Sequence, residues 1–511
     1  MDAIAGRHLE RIARGGSLGI VGAAISAVGG FVVVALITNA FSKADAGALF
    51  SATSLFLLIS SVAALGIGVG LGRFVMKYIV EKRWSAARAC LRNTAVVTIA
   101  IGVASGAGLF VLAQPIAEAI GLPSKTGVPV LRILAFALPF GAVANWALSA
   151  SRAMANIRQT VAIEKVFRAL LQLGLVALCV VTPVGLAELT WAWVLPTVLS
   201  APLALLGLRT LVSRTFPPRE PEDDPGDAVG EFWKFTWPRS IAQVSQMVIQ
   251  RADIIIIGAL LSPAAAAIYT AATRFAPLGQ LAVQAIQQVV QPRFTQLLAT
   301  EQMAALGVVF KITTAWNIAL SWPIYLSIGA LPGLYLSLFG DGYIDDGGLV
   351  VITMTVAMLI GVASGPVDTL LLMSGRSALS LINSLVALAI NLGLNFALIP
   401  IIGIAGAAIA WCVAIAVRST LGYFQVRAHL RIGALSPAAL FVGAAAIVCF
   451  AAPLGALNLA GSVTVLAAML VGFGGIMGYA FLLWWKRDLL QLRALKALLP
   501  ERLQRRMPWL R

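Results

Sequence analysis

The stretch VITMTVAMLI, residues 351–360, decides the fold class of this chain. It does not keep the strict alternation of apolar and polar residues that marks a transmembrane β-strand. It lies in an apolar run at residues 348–373, which is long enough to cross a bilayer as a helix. Because lipid offers peptide groups no hydrogen-bond partners, the run predicts a membrane-spanning α-helix.

Similar apolar runs recur along the whole chain, and they predict about 14 transmembrane helices. The chain of 511 residues is 60% apolar and 11% charged, and its mean hydropathy is +0.92. Soluble domains carry about 25% charged residues. The composition therefore excludes a soluble globular protein as well as a disordered one. We predict an all-α integral membrane protein.

The positive charges indicate how the helices are oriented. With the N-terminus inside, 31 of the 37 Lys and Arg residues fall in cytoplasmic segments, and only Lys43 and Lys125 fall outside. Such an asymmetry is typical of a multi-pass protein of the cell membrane with both termini in the cytoplasm. The net charge of +16 then reflects topology and the acidic inner leaflet, and we expect no nucleic-acid partner.

A weak internal repeat and an acidic linker predict the domain boundaries. Shifted by 219 residues, Phe50-Ser51-Ala52 falls on Tyr269-Thr270-Ala271, and residues 173–175 fall on 392–394. Six spans separate the copies, so we predict two six-helix lobes related by a pseudo-two-fold axis along the membrane normal. The expected segments are a cytoplasmic amphipathic N-terminus (1–16), a first lobe (17–208), a cytoplasmic linker (209–236), a second lobe (237–430), two extra C-terminal helices (431–485) and a basic amphipathic cytoplasmic tail (486–511).

Polar residues inside the seventh and eighth spans predict a substrate cavity. Arg251 and Arg274 each lie ten residues from the outer end of a span, about 15 Å deep. A charge at that depth costs about 2.5–3.5 kcal/mol and must face protein or water. The candidate substrate-binding residues are Arg251, Arg274, Asp253, Gln243, Gln246, Gln250, Gln280, Gln284 and Gln287, with Arg132 and Asn145 in the first lobe. The structural alternative is an internal Asp253–Arg274 ion pair with glutamines bonding between helices.

Other motifs argue against catalysis. The sequence shows no Ser/His/Asp set, paired carboxylates or metal-ligand spacing, so we expect no enzyme, no metal and no cofactor. The glycines at 66, 68, 70 and 72 follow no strand, so they predict close helix packing rather than a phosphate loop. We also expect no acidic residue in the membrane interior of the first lobe.

Three motifs carry a resemblance to a known family. They are Arg251-Ala252-Asp253 with Ile254–Gly258, Ile268–Ala272, and Leu394–Pro400 followed by Gly403–Ala408. They resemble the oligosaccharide-lipid flippase branch, which includes Wzx-type flippases, of the multidrug/oligosaccharidyl-lipid/polysaccharide exporter superfamily. The resemblance implies alternating access and an undecaprenyl-pyrophosphate-linked oligosaccharide as substrate. It also implies membrane lipids, a polysaccharide polymerase and glycosyltransferases as partners.

Other functions stay open. A multidrug or cation antiporter of the same superfamily commonly uses an acidic residue in its first helix, and residues 17–41 contain none. A lipid II flippase resembles the chain in architecture but relies on arginines in its first helices, where this chain has none before Arg73. A non-transporting scaffold for glycan assembly is the third alternative.

Overall fold

The computed structural model describes residues 2–217, 226–433, 436–461 and 463–490, and these contain helices but no strand. The first helices are α1 (Asp2–Ala40), α2 (Lys43–Ala64), α3 (Ile67–Val80), α4 (Trp84–Val111), α5 (Ala113–Ala119), α6 (Ser124–Ala153), α7 (Ile157–Thr160), α8 (Arg168–Val181), α9 (Leu186–Thr215) and α10 (Ala228–Leu260). They are followed by α11 (Pro263–Thr273), α12 (Ala276–Ala299), α13 (Met303–Ala330), α14 (Pro332–Ser337), α15 (Ile344–Ala363), α16 (Val367–Met373), α17 (Ser377–Ile402), α18 (Ile404–Leu430), α19 (Pro437–Ala446), α20 (Ala452–Leu459) and α21 (Val465–Trp485).

The helical membrane fold confirms the predicted class. Within the described part of the chain, 11 helical segments are long and apolar enough to cross a membrane. The other three predicted spans are also helical. Their charged and amide side chains, or the shortness of their apolar stretch, make them less hydrophobic than these 11. The three spans are residues 157–181, 228–260 and 263–299. The total of 14 spans stays a prediction.

The division of the chain differs from the predicted one. One compact unit contains residues 21–270 and 395–404, and the other contains 271–394 and the described part of 405–490, with residues 2–20. The contacts place α10 with the first unit, because α10 packs on α2 and α3, and the predicted lobe boundaries stay a prediction. A Cβ on Gly258 would lie 2.7 Å from Ser51 Oγ, and one on Gly70 would lie 2.2 Å from Thr236 Oγ1. Both contacts join α10 to helices of the first unit.

The two C-terminal spans lie in the second unit. The α19 helix approaches α13 where Gly443 lies against the Trp322 ring. On α21, the Tyr479 hydroxyl donates a hydrogen bond of 3.2 Å to the Ala319 carbonyl of α13. A π-helical segment, Ile447–Ala451, joins α19 to α20.

Three expected segments differ from the structure or lie partly beyond it. The helix α1 runs without interruption through the predicted boundary at residue 16. The acidic linker includes residues 218–225, and most of the basic tail is at 491–511; both ranges lie outside the described residues. The predicted cytoplasmic location of both ends stays a prediction.

Candidate functional site

The polar stripe of α10 divides into accessible and buried members. Gln243 and Gln250 are exposed and Gln246 is partly buried. Arg251 is partly buried, and its Nε atom is buried without a hydrogen-bond partner among the described residues. Asp253, two residues further on, is only 3% exposed. Arginine and glutamines thus remain available for a ligand, whereas the carboxylate faces protein.

Two neutral groups donate hydrogen bonds to the buried Asp253. The Tyr269 hydroxyl donates to Asp253 Oδ2 over 2.8 Å, and Asn395 Nδ2 donates to Oδ1 over 2.6 Å. Asn395 comes from α17 and lies in the Leu394–Pro400 motif that carries the family resemblance. Three sequence-distant residues therefore meet inside the first unit. The phenol and the amide stabilise a carboxylate that apolar surroundings would otherwise destabilise.

Arg274 lies at a break between two helices of the eighth span. The helix α11 ends at Thr273 and α12 begins at Ala276, so the chain is not helical around Arg274. Arg274 itself is partly buried. Interrupted helices are tolerated at membrane depth where other groups satisfy the released carbonyls, and in transporters they mark binding sites.

Side chains from the neighbouring helices hold this break in place. Tyr335 donates to the Ala271 carbonyl over 2.8 Å, and Tyr325 donates to the Ala276 carbonyl over 2.9 Å. Burial raises the pKa of the Tyr335 hydroxyl above its ordinary value, while the nearby Arg274 lowers it in part. The phenol consequently stays a neutral donor. The break is a fixed element of the second unit.

The glutamines of α12 are mostly accessible. Gln280 and Gln284 are exposed and Gln287 is partly buried. Gln280 Nε2 makes a weak contact of 3.8 Å with the Met358 sulfur. These amides can donate to and accept from hydroxyl groups of a ligand. Arg251 belongs to the first unit and Arg274 to the second, so their predicted use of one shared cavity stays a prediction.

The two candidate binding residues of the first lobe, Arg132 and Asn145, lie on α6 and far from the polar stripe of α10 in the sequence. Arg132 is exposed, and its guanidinium lies 5.1 Å from the centre of the Phe110 ring. Asn145 is partly buried. The structure gives neither residue a contact with Arg251 or Asp253, and their role in a substrate cavity stays a prediction.

A charged cluster around Glu164 in the first unit was not predicted from the sequence. Glu164 lies on a helix that runs from Ile157 to Val181. Its π-helical segment, Val161–Phe167, contains Glu164 and Lys165. The expectation of no acidic residue in the membrane interior of the first lobe stays a prediction. Thr160, Glu164, Arg168 and Gln172 recur every four residues, a helical signal that could have revealed the cluster.

Cations surround the Glu164 carboxylate. Lys165 Nζ lies 2.8 Å from one oxygen, and the Arg152 guanidinium lies 3.4 Å from the other. Arg168, one helical turn away, donates over 2.9 Å to Thr197 Oγ1. A Cβ on Gly22 would lie 2.9 Å from Val161, so α1 packs directly on the π-helical segment. Such π segments are frequent at functional sites, and this one concentrates positive charge.

The comparison with protein families decides the identity. The profile of the family described as "Polysaccharide biosynthesis protein" matches residues 12–298, more than half of the chain. The chain belongs to this polysaccharide biosynthesis protein family. The matched residues include Arg251, Asp253, Arg274 and the Glu164 cluster.

Solved structures confirm the fold of this polysaccharide biosynthesis protein. The lipid II flippase MurJ in an inward closed conformation is 13% identical, with a TM-score of 0.73, covering 92% of this chain and 99% of that chain. An inward-facing multidrug resistance MATE family transporter of the MOP superfamily is 14% identical, with a TM-score of 0.68, covering 80% and 94%. A MOP superfamily transporter from Pyrococcus furiosus is 16% identical, with a TM-score of 0.57, covering 83% and 96%. A search of curated protein sequences finds no significant match.

The fold is therefore that of membrane transporters, which confirms the predicted all-α multi-pass architecture. Among the described residues of this polysaccharide biosynthesis protein, no group of three or more His, Cys, Asp or Glu side chains is arranged to hold a metal ion. The polar groups available to a ligand are guanidinium, ammonium, amide and hydroxyl groups, which suit an anion that carries hydroxyls.

Proposed function

We propose that this protein flips an undecaprenyl-pyrophosphate-linked oligosaccharide from the inner to the outer leaflet by alternating access, for the synthesis of a cell-surface polysaccharide. Membership of the polysaccharide biosynthesis family and a transporter fold support this class of function. In this proposal the protein is not an enzyme, because the covalent chemistry belongs to the glycosyltransferases and the polymerase with which it works. The termini face the cytoplasm, as the distribution of Lys and Arg favours.

The single observation that carries the proposal is the state of Arg251. It lies nine residues before the end of α10 at Leu260, or about 14 Å along the helix axis. Its Nε is buried without a hydrogen-bond partner among the described residues. A buried guanidinium N–H without a partner costs about 1–3 kcal/mol or more. A pyrophosphate oxygen is a strong acceptor that would remove this penalty.

The remaining candidates have roles that follow from their chemistry. Arg274, at the break between α11 and α12, contributes a second positive charge for the pyrophosphate. The exposed amides of α10 and α12 bind sugar hydroxyls, and Arg132 and Asn145 extend the polar surface into the first lobe. The polyprenyl tail stays in the bilayer during the movement, because burying its apolar surface in lipid is strongly favourable.

Export of the glycan in a deletion strain tests the proposal. Arg251→Ala and Arg274→Ala should each reduce export at unchanged membrane levels of the protein, and Arg251→Lys should restore part of it by keeping the charge. Arg293→Ala is the matched control, because Arg293 is exposed and bonds only one turn away, to Gln296 Oε1 over 2.7 Å. Full export by both alanine variants would refute the cationic site.

Two further measurements separate the alternatives. Mass spectrometry of lipids that accumulate in the deletion strain should identify lipid-linked oligosaccharides. Accumulation of lipid II would favour the lipid II flippase. Ion-coupled efflux of drugs by the protein would favour the antiporter. A scaffold needs no hydrated stripe at membrane depth. Cysteines introduced at Gln246 and Gln284 should therefore react with a water-soluble maleimide, and protection of both would favour the scaffold.

A further inference from the structure

A second basic site lies away from Arg251, where α3 meets α10. The glycines of α3 allow the two helices to approach. A Cβ on Gly66, which has φ +60°, would lie 3.0 Å from the Ser240 backbone nitrogen, and one on Gly70 would overlap Thr236. Ser240 also donates to the Leu65 carbonyl. This close approach places the basic ends of both helices beside one another.

An aromatic ring holds two arginines at this junction. The Arg73 guanidinium of α3 lies 4.2 Å from the centre of the Phe235 ring, and the Arg239 guanidinium of α10 lies 4.0 Å from it. Cation–π contacts of this kind fix the arginine forks in position. Two like charges on one ring also repel each other, and an anion bound between them would relieve that repulsion.

A cavity of about 470 Å³ opens beside these arginines. It is lined by Arg73, Phe74, Lys77, Glu231, Lys234 and Phe235. Among the described residues, neither the two lysines nor the two arginines form an ion pair with a carboxylate. The Glu231 carboxylate instead accepts a hydrogen bond of 3.3 Å from the Tyr78 hydroxyl. Three cations and one carboxylate therefore line the cavity, with Arg239 on the adjoining Phe235 ring, and none of the four cations is ion-paired in the described part of the chain.

Exposed apolar side chains beside the cavity indicate a ligand anchored in the membrane. Trp237 lies between Phe235 and Arg239 in the sequence and is 57% exposed, and Val80 at the end of α3 is 74% exposed. Exposed tryptophan is typical of the headgroup level of a bilayer, and basic pockets at that level bind phosphate headgroups. The basic segment that follows α3 is predicted to be cytoplasmic, so the level is that of the inner leaflet.

We propose that Arg73, Arg239, Lys77 and Lys234 form a binding site for the phosphate group of an inner-leaflet lipid. The guanidiniums donate hydrogen bonds to the phosphate oxygens, and the lysines add positive charge. The acyl or polyprenyl chain lies against the exposed side chains of Trp237 and Val80. Either a resident phospholipid or the polyprenyl pyrophosphate can supply this chemistry. The site is separate from Arg251 and holds whether or not the chain is a flippase.

Binding to the purified full-length protein in detergent tests this site. The probes are dioctanoyl phosphatidylglycerol, undecaprenyl pyrophosphate and inorganic phosphate, with affinities read by thermophoresis and bound lipids counted by native mass spectrometry. We expect Arg73→Ala and Arg239→Ala each to weaken binding of at least one lipid probe about tenfold, the loss of a charged hydrogen bond. Tight binding of both phosphatidylglycerol and undecaprenyl pyrophosphate would indicate a general site for lipid headgroups. Selective binding of undecaprenyl pyrophosphate would indicate a site that first binds the substrate.

Two further variants separate a built site from general charge attraction. Phe235→Leu keeps all four cations but removes the ring that positions the guanidiniums, so it should weaken lipid binding several-fold. Arg92→Ala removes one exposed arginine from the neighbouring α4 and should leave binding unchanged. Melting temperatures of all variants identify any loss of fold, and Arg73→Lys, which keeps the charge, provides a conservative replacement with intermediate affinity.

Two results would overturn the proposal. The first is lipid binding within twofold of wild type in the folded Arg73→Ala/Arg239→Ala double variant. The second is inorganic phosphate binding as tightly as both lipids, which would mean that no lipid chain is recognised. Because none of these measurements involves transport, failure here is distinguishable from failure of the flippase proposal.

Discussion

Asn395 donates a hydrogen bond of 2.6 Å to Asp253, a residue 142 positions earlier in the chain. Tyr269 donates to the other oxygen of the same carboxylate. The two bonds hold α10, α11 and the Leu394–Pro400 motif in contact inside the first unit. They give the most specific motif of the sequence a structural role, because its asparagine satisfies the buried carboxylate.

Removing the Tyr269 hydroxyl should destabilise the protein. Tyr269→Phe keeps the ring but leaves one Asp253 oxygen without this donor, and a hydrogen bond to a charged group contributes about 1.5–3 kcal/mol. We expect a lower melting temperature of the purified protein. The control is Tyr423→Phe, at a partly buried ring that keeps its edge contact with Phe424 when the hydroxyl is lost. Equal melting temperatures for both variants would contradict the importance of the Asp253 contact.

The charge of Asp253 should not be required for transport. Tyr269 and Asn395 donate to its two oxygens, and the proposed substrate is an anion leaving a negative interior. Two negative charges crossing 100 mV release about 4–5 kcal/mol. We expect wild type and Asp253→Asn to flip substrate in proteoliposomes under a potassium–valinomycin potential without a pH or sodium gradient. Activity that depends entirely on an added sodium or proton gradient would show that an ion drives transport.

Neutralising Glu164 should weaken the first unit. Glu164→Gln leaves the cations of Arg152 and Lys165 without their carboxylate. The cost should be about 1–2 kcal/mol, below the 3–5 kcal/mol of a fully buried pair because the side chain is 28% exposed. Thermal unfolding measures it, with Glu118→Gln as control, since Glu118 is exposed and accepts only a 3.3 Å bond from Gln114. If Glu164→Gln is as stable as that control, the ion pairs of Glu164 do not contribute to the stability of the protein.

The glycines of α3 should differ sharply in their tolerance of a methyl group. A Cβ at Gly70 would lie 2.2 Å from Thr236 Oγ1 and 2.7 Å from the Phe232 ring, whereas one at Gly72 would meet no atom within 4 Å. Overpacking costs about 1–3 kcal/mol. We expect Gly70→Ala to lower the melting temperature and Gly72→Ala to leave it unchanged or raise it slightly. If both variants melt like the wild type, α3 and α10 are not in tight contact.

The apolar runs alone determined the fold class, because a bilayer permits few backbone structures and the chain contains many runs of spanning length. The sequence also identified Arg251 and Asp253 as unusual, since a charge within an apolar span is costly wherever the chain folds. The glycine run of α3 was likewise readable, and its role in helix packing is confirmed at Gly70.

Only the tertiary structure decided which groups these residues meet. The partners of Asp253 lie 16 and 142 residues away, and helical periodicity gives no information about contacts between helices. The same limit applies to α10, which follows the linker in the sequence but whose glycine and serine contacts are with α2 and α3. The Glu164 cluster was likewise not predicted, because its ion pair with Arg152 joins residues 12 positions apart that meet only in the folded chain. The burial of a charged side chain and the identity of its partners depend on residues that are distant in the sequence and meet only when the chain folds.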